Sequence, residues 1–597
     1  MDKPSLFEIL FQKDEQSEID DSVRGKKFFT RQFSGSVTKK LKRILSTRPF
    51  KIASAFSHLL SHVSTRVYGS ALLSLGLVGT MMYFLRLSAD ASIITPIIGI
   101  LFALIFIPFL LADKPLPVFL ADFYVTDYLF YEIFCMKRHT TETLANFPIL
   151  LSAIIGFGLA VISAFVPLWQ IALLIGILVC VYVGFESPEF VFLASLFTLP
   201  FVRFIPHGEL WLVGAVILAL LSFLVKVLYG KRVIYVEQYD IFIGIMLICL
   251  LISGIFLKGT ASFSGSLIMI ALSLGYILAG NIVTNCRLAE RSVNAIVISG
   301  VLSALVSLGQ LVFTAINHGE ELTSEDLDFM LARKDGMAVF LIAATLMAVC
   351  MIHQSVGAAK RAYICSSVIL SISIFLSGEV FAVLATLLGI PVYLIIKNNK
   401  RSGILFPFLL LVPLAALLIP NTILDFLFTY SPSISSADNL FAIWNSSLSV
   451  FANNLLVGIG IGSESFAEEM AKIGIYGFSN SSNLFIELGL EAGIFALLSF
   501  LCILATRLKH RSIHYLYLRN SQIERLSCMS GACILSLLAF GMVNYIWSEP
   551  SAYYFFWCLF GIGSATLRVA KKDYEDKTVY YEESSAFDSS VIDIEIG

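Results

Sequence analysis

Apolar residues run in blocks of about twenty along most of the chain, the length that crosses a bilayer as a helix. Polar and charged positions gather at the breaks between blocks. The pattern predicts about sixteen membrane helices. They are placed near 69–88, 92–112, 147–165, 167–184, 188–205, 208–228, 240–257, 263–283, 292–316, 337–355, 362–377, 379–396, 403–420, 483–506, 526–546 and 551–567. With that set, the basic clusters Lys231/Arg232, Arg287/Arg291, Lys360/Arg361, 397–401, 507–511 and 568–572 all fall on the side of the basic stretch within 24–66. Short loops rich in Lys and Arg stay in the cytoplasm, so both termini are expected inside the cytoplasmic membrane.

Composition agrees: 57% of the 597 residues are hydrophobic and only 14% are charged. A soluble domain carries about a quarter charged residues. The expected class is an all-α polytopic membrane protein with one large, partly helical outer loop. Residues 1–66 read as a flexible, basic cytoplasmic arm with an amphipathic stretch near 38–62, which serves either as a solvated positive-inside anchor, the favoured reading, or as a contact for anionic membrane lipid. Residues 67–146 add two membrane helices and an aromatic interfacial segment, "FYVTDYLFYEIF". Residues 147–567 form the main membrane domain, and 568–597 an acidic, disordered cytoplasmic tail. The cysteines lie almost all in apolar spans, which argues against disulfide or metal sites in the outer loops. Nothing points to nucleic acid.

Two outer loops are long, 317–336 and 421–482, and long loops in compact proteins usually carry function. In the second, Leu440, Trp444, Leu448, Phe451 and Leu455 recur at helical spacing and predict an amphipathic roof helix. Gly458, Gly460 and Gly462 then end it in a turn. Ser465 and Glu468 fit a capping box for a second helix near 464–473.

Beyond that loop, Ser482 precedes Asn483, Glu487 and Glu491, which stand four residues apart on one helix face. A carboxylate in a membrane span belongs in the bundle interior or a wet cavity. Two readings follow: a polar stripe that leads from the outer surface into a cavity, or hydrogen-bonded glue between helices.

Trp444, Gly458, Gly460, Gly462, Ser463, Phe466, Asn483, Glu491 and Gly493 stand in an order and spacing that resembles the signature region of the O-antigen ligase and O-antigen polymerase superfamily. These are bacterial GT-C-type membrane glycosyltransferases. The resemblance is strongest over 436–506. It implies a metal-independent enzyme without a cofactor, whose partner is a polyprenyl-diphosphate-linked glycan met at the outer face. It also implies a place among other polysaccharide-assembly proteins.

The family usually has histidine where this chain has Ser482, arginine where it has Leu440, and arginine at an outer hairpin where Ser377 and Gly378 are followed by Glu379. Substitutes are expected from other outer positions. Arg333, Lys334 and Lys472 are the candidates for the diphosphate, since cations neutralise phosphate oxygens. Glu491 and His318 are the candidates for the catalytic base. Arg203, His207 and Lys258 also fall near the outer face. The alternatives are a family member that has lost catalysis and binds a lipid-linked glycan or an assembly partner, and a transporter or flippase that uses the stripe as a path.

Overall fold

A computed structural model describes residues 63–86, 94–134, 148–163, 187–205, 207–228, 232–237, 239–256, 260–318, 334–353, 355–377, 379–398, 437–513 and 522–595. The expected amphipathic stretch near 38–62, the spans 167–184 and 403–420, Lys258 and Arg333 lie outside these residues. The described chain is helical apart from its connections, with one isolated bridge between Ser64 and Pro115. Among the described residues, six helices are long and apolar enough to cross a membrane, and six shorter apolar ones accompany them. The protein is a multi-pass membrane protein.

The helices run in order as follows. α1 is Thr65–Arg86, α2 Ile94–Ile105, α3 Ile107–Leu111, α4 Leu116–Ala121, α5 Ile149–Ser163, α6 Pro188–Thr198, α7 Gly208–Leu228, α8 Asp240–Phe256 and α9 Thr260–Ile282. α10 is Cys286–His318, α11 Lys334–Ile352, α12 Gly357–Leu376, α13 Val380–Asn398, α14 Ala437–Asn453 and α15 Ser463–Lys472. α16 is Leu484–Ile513, α17 Gln522–Phe540 and α18 Pro550–Glu595. The chain forms two compact units: Met1–Val191 with Leu218–Val233, and Phe192–Ile217 with Ile234–Gly597.

In the first unit, α1 and α5 meet through small residues. A Cβ at Gly156 would stand 2.1 Å from the Ala71 carbonyl oxygen. The Ser70 and Ser152 hydroxyls bond each other, and Ser74 donates to the Ala153 carbonyl at 3.0 Å. Lipid tails are as apolar as Leu, so such close approach and interhelical hydrogen bonds are what hold membrane helices together. The aromatic segment that follows is short-helical and includes a π-helix over Asp127–Ile133. Phe109, Phe119 and Phe123 pack beside it with their rings tilted or edge to face.

The second unit is built around the first part of α18. Tyr553, Tyr554, Phe556, Trp557 and Phe560 are all buried, as are Trp547 before them and Phe500 of α16. A Cβ at Gly275 of α9 would meet the Tyr554 ring at 2.5 Å, so that position must stay bare for α9 and α18 to touch. Buried hydroxyls are paired across the interfaces: Ser273 with Tyr553 at 2.6 Å and Ser195 with Tyr554 at 2.7 Å. Ser273→Ala strands the Tyr553 hydroxyl and is expected to cost about 1 kcal/mol, read as a lowered melting temperature of the detergent-solubilised protein. On α8, Ile241, Ile245, Ile248, Ile252 and Ile255 are exposed while Ile243, Met246, Leu250 and Ser253 are buried. An apolar stripe left outside in this way suits hydrocarbon.

Three expectations change. α18 continues to Glu595, so the acidic tail is helical. A long buried helix supplies the costly nucleus, and no Gly or Pro interrupts the sequence from 573 to 595. α15 starts at Ser463, with Gly462 as its cap and no side-chain capping bond, so Ser465 and Glu468 lie inside it. The roof helix α14 buries Leu440, Ile443, Ser447 and Val450, while Leu448, and Leu455 just beyond the helix, are exposed. Its buried face is thus rotated from the expected stripe, because Ile443 and Val450 join Ile459, Phe466, Met470 and Leu490 in one core.

Candidate functional site

α16 begins with a strong cap. The Asn483 Oδ1 accepts from the backbone N–H of Phe485 at 3.0 Å and of Ile486 at 3.2 Å. These donors have no partner within the helix, and Asn is among the best residues to satisfy them. The Asn483 Nδ2 donates to the Met542 carbonyl at 2.8 Å, and the Leu484 N–H donates to Gly541 at 2.7 Å. The start of α16 is thereby pinned to the segment that follows α17. Just ahead of the cap, Ser482 holds a left-handed φ of 51°. Its N–H donates to the Asn480 Oδ1 at 2.9 Å.

Glu487 and Glu491 lie one and two turns further along, and both are buried, at 1% and 3% exposure. They face protein and not hydrocarbon. The Ser481 N–H donates to the Glu487 Oε2 at 2.7 Å, which ties the first acid back to the loop. The second acid is held at both oxygens. Tyr545 donates its hydroxyl to Oε2 at 2.7 Å, and the Gly462 N–H donates to Oε1 at 3.2 Å. The Ser253 hydroxyl of α8 donates to the Glu491 carbonyl. A buried carboxylate is costly unless such donors are in place.

Two residues after Glu491 the helix breaks. Gly493 has φ 82° and ψ 177°, a conformation open to glycine alone. An unbroken helix would bond the Ile494 N–H to the Leu490 carbonyl. Here Ile494 donates to the Leu455 carbonyl at 2.8 Å, and the Leu490 carbonyl accepts from Ile459 at 2.7 Å. The strand of loop after α14 therefore takes the place of one helical hydrogen bond. Glycine makes this approach possible. A Cβ at Gly458 would stand 2.4 Å from the Leu490 carbonyl oxygen, and one at Gly493 would stand 2.3 Å from that of Leu456. The loop is also fixed to α9, where the Ile461 N–H donates to the Ser262 hydroxyl at 3.0 Å. The three glycines of the loop all have positive φ, so the turn expected there is present.

The other expected site residues are scattered. Lys472 lies at the end of α15, exposed and ion-paired with Glu469. His318 is the last residue of α10, and Lys334 the first of α11. Leu440, at the position where arginine is usual, is buried at 2% exposure. Ser377 and Glu379 are buried at the α12–α13 hairpin. Sequence reasoning missed Tyr545, Ser253 and Ser262, which lie in other elements and carry no local signal.

Residues 365–501 match the Wzy_C family model, described as O-antigen ligase. Over these residues the chain is similar to an O-antigen ligase domain. The match starts in α12, takes in the roof helix and the glycine loop, and ends in α16 beyond Glu491 and Gly493. No curated protein matches the chain. The O-antigen ligase domain supports a role in bacterial O-antigen or polysaccharide assembly, with glycan-lipid substrates.

Proposed function

We propose that the protein transfers or polymerises a polyprenyl-diphosphate-linked glycan at the outer face of the cytoplasmic membrane. The supporting observation is that the O-antigen ligase match contains the buried Asn483–Glu487–Glu491 helix face together with the glycine loop docked into it. In the reaction a hydroxyl oxygen of the acceptor bonds to the anomeric carbon of the donor sugar. The bond from that carbon to phosphate oxygen breaks, the carrier diphosphate leaves with the electron pair, and a base takes the hydroxyl proton. Electrostatic stabilisation of the leaving group is the largest demand on such a site.

Arg333 is the foremost diphosphate ligand in this reading, with Lys334 beside it in sequence and Lys472 a further candidate. His318 and Glu491 remain the candidate bases. The bonding of both Glu491 oxygens favours a positioning task for that residue, which holds Gly462 and Tyr545 together. The four expected parts — the basic arm, the two added helices, the main domain and the acidic tail — serve this activity with both termini in the cytoplasm.

Arg333→Ala is expected to lower surface glycan at least tenfold at unchanged protein level, read on gels of envelope polysaccharide. Normal chain length and amount would remove Arg333 from the reaction. Deleting the gene tests the function itself: the corresponding glycan is expected to vanish or to stay as single units. A second reading is favoured by Ser482, since a serine hydroxyl is too weak a base to replace histidine unaided near neutral pH. It makes the protein a scaffold that binds the lipid-linked glycan. Purified protein that binds this glycan without consuming it would select the scaffold.

A further inference from the structure

The second unit contains a cavity of about 520 Å³. That size falls within the roughly 300–1,000 Å³ of small-molecule sites. Its walls come from the turn after α6, the start of α7, Ile268 of α9 and the start of α18. Its described charged and polar side chains are His207, Glu209, Glu549 and Ser551, set against an apolar lining.

The hairpin that carries His207 is held firmly. His207 has a left-handed φ of 55°, uncommon for a residue with a Cβ. Its carbonyl accepts from Leu210 at 2.9 Å and Trp211 at 3.3 Å. Gly208 follows directly, and a Cβ there would stand 2.1 Å from the Val202 carbonyl oxygen. His207 is exposed at the rim, on a backbone that has little room to move.

Two elements link this cavity to the O-antigen ligase site. Ile268 lies below Ser262 and Gly265 on α9. Ser262 bonds the Ile461 N–H, and a Cβ at Gly265 would meet Ile461 at 3.4 Å. Glu549 follows four residues after Tyr545, the donor to Glu491. One helix and one connection therefore wall both places.

The chemistry of the lining selects its occupant. Carboxylates accept hydrogen bonds and offer no donor when ionised, and an imidazole nitrogen and a serine hydroxyl accept as well. Sugar hydroxyls match that set, and the C–H face of a sugar ring matches the apolar wall. A diphosphate meets like charge at Glu209, which stands exposed at the rim. We infer that this cavity is the subsite for the hydroxyl-bearing acceptor end of the glycan, apart from the place where the carrier diphosphate sits.

This inference rests on the glycan-transfer reading, and three variants of the full-length protein test it in cells. In Ser551→Cys, a membrane-impermeant cationic methanethiosulfonate is the probe. Labelling is expected to rise several-fold when synthesis of the carrier-linked glycan is blocked at its first sugar-phosphate transfer. An unchanged rate, or no labelling in either state, overturns the assignment. Ile268→Trp fills the cavity and is expected to cut surface glycan at least fivefold at normal protein level, and unchanged glycan overturns it. Glu209→Lys separates the two possible ligands: it is expected to reduce transfer in a hydroxyl subsite and to preserve or raise it in a diphosphate pocket, which would refute the inference. If deleting the gene leaves the envelope glycan intact, the functional reading itself has failed. If deletion removes the glycan while these variants behave as wild type, only the cavity assignment has.

Discussion

Gly493→Ala is expected to remove most folded protein from the membrane. The residue sits at φ 82° and ψ 177° with the Leu456 carbonyl 2.3 Å from where the methyl would go. A backbone state of that kind costs a residue with a Cβ about 1–3 kcal/mol, and forcing an atom into packed backbone costs about 1–3 kcal/mol more. The only relief is to push the loop away, which breaks the Ile494–Leu455 and Ile459–Leu490 hydrogen bonds as well. Proteins hold roughly 5–15 kcal/mol in all, so the expected sum of about 2–6 kcal/mol is a large part of it. The measurement is the yield and melting temperature of monodisperse protein in detergent. A wild-type melting curve for Gly493→Ala would show that the loop does not dock into α16 as described.

Glu491→Gln is the second large effect, and it falls on activity more than on folding. The amide keeps the volume but has one acceptor oxygen where the carboxylate has two. Tyr545 and Gly462 both donate to this side chain, so one of them would face the amide NH₂. A donor left facing a donor in a buried site costs about 1–3 kcal/mol. The expected result is a protein that still inserts and accumulates but loses surface glycan tenfold or more, because Gly462 and the start of α15 are no longer held. Tyr545→Phe is expected to move in the same direction with a smaller loss, since the Gly462 bond survives. Wild-type glycan from Glu491→Gln would reduce this carboxylate to a packing element, whereas loss of the protein itself would favour the reading of the acids as glue between helices.

Much of this was legible in the chain before the structure, and the limits have physical causes. Asn483, Glu487 and Glu491, four residues apart, predict a shared helix face; the structure buries all three and makes Asn483 the cap ahead of α16. The glycines of 458–462 predict a turn, and a turn is present. What no local pattern holds is where the turn goes. Gly493 reads as a tolerated glycine in an apolar helix until the Leu455 carbonyl is seen to claim its neighbour's N–H. Tyr545 lies 54 residues from Glu491 and Ser253 lies 238 residues away, so neither partner leaves a trace in the spacing. The roof helix was found in place but turned about its axis. Leu448 and Ser447 are adjacent, and hydrophobicity alone favours Leu for the inside. Packing against Phe466 and Met470 of α15 through Ile443 and Val450 reverses that choice.

The exchange of hydrogen bonds at the break in α16 has a mechanical consequence. Were the loop to lift off, the Leu490 carbonyl and the Ile494 amide would be left bare inside a membrane span, and each bare peptide group in hydrocarbon costs several kcal/mol. The loop is therefore spliced into the bundle instead of hinged upon it. In the proposed transfer, a substrate would have to reach this helix face with the loop in place.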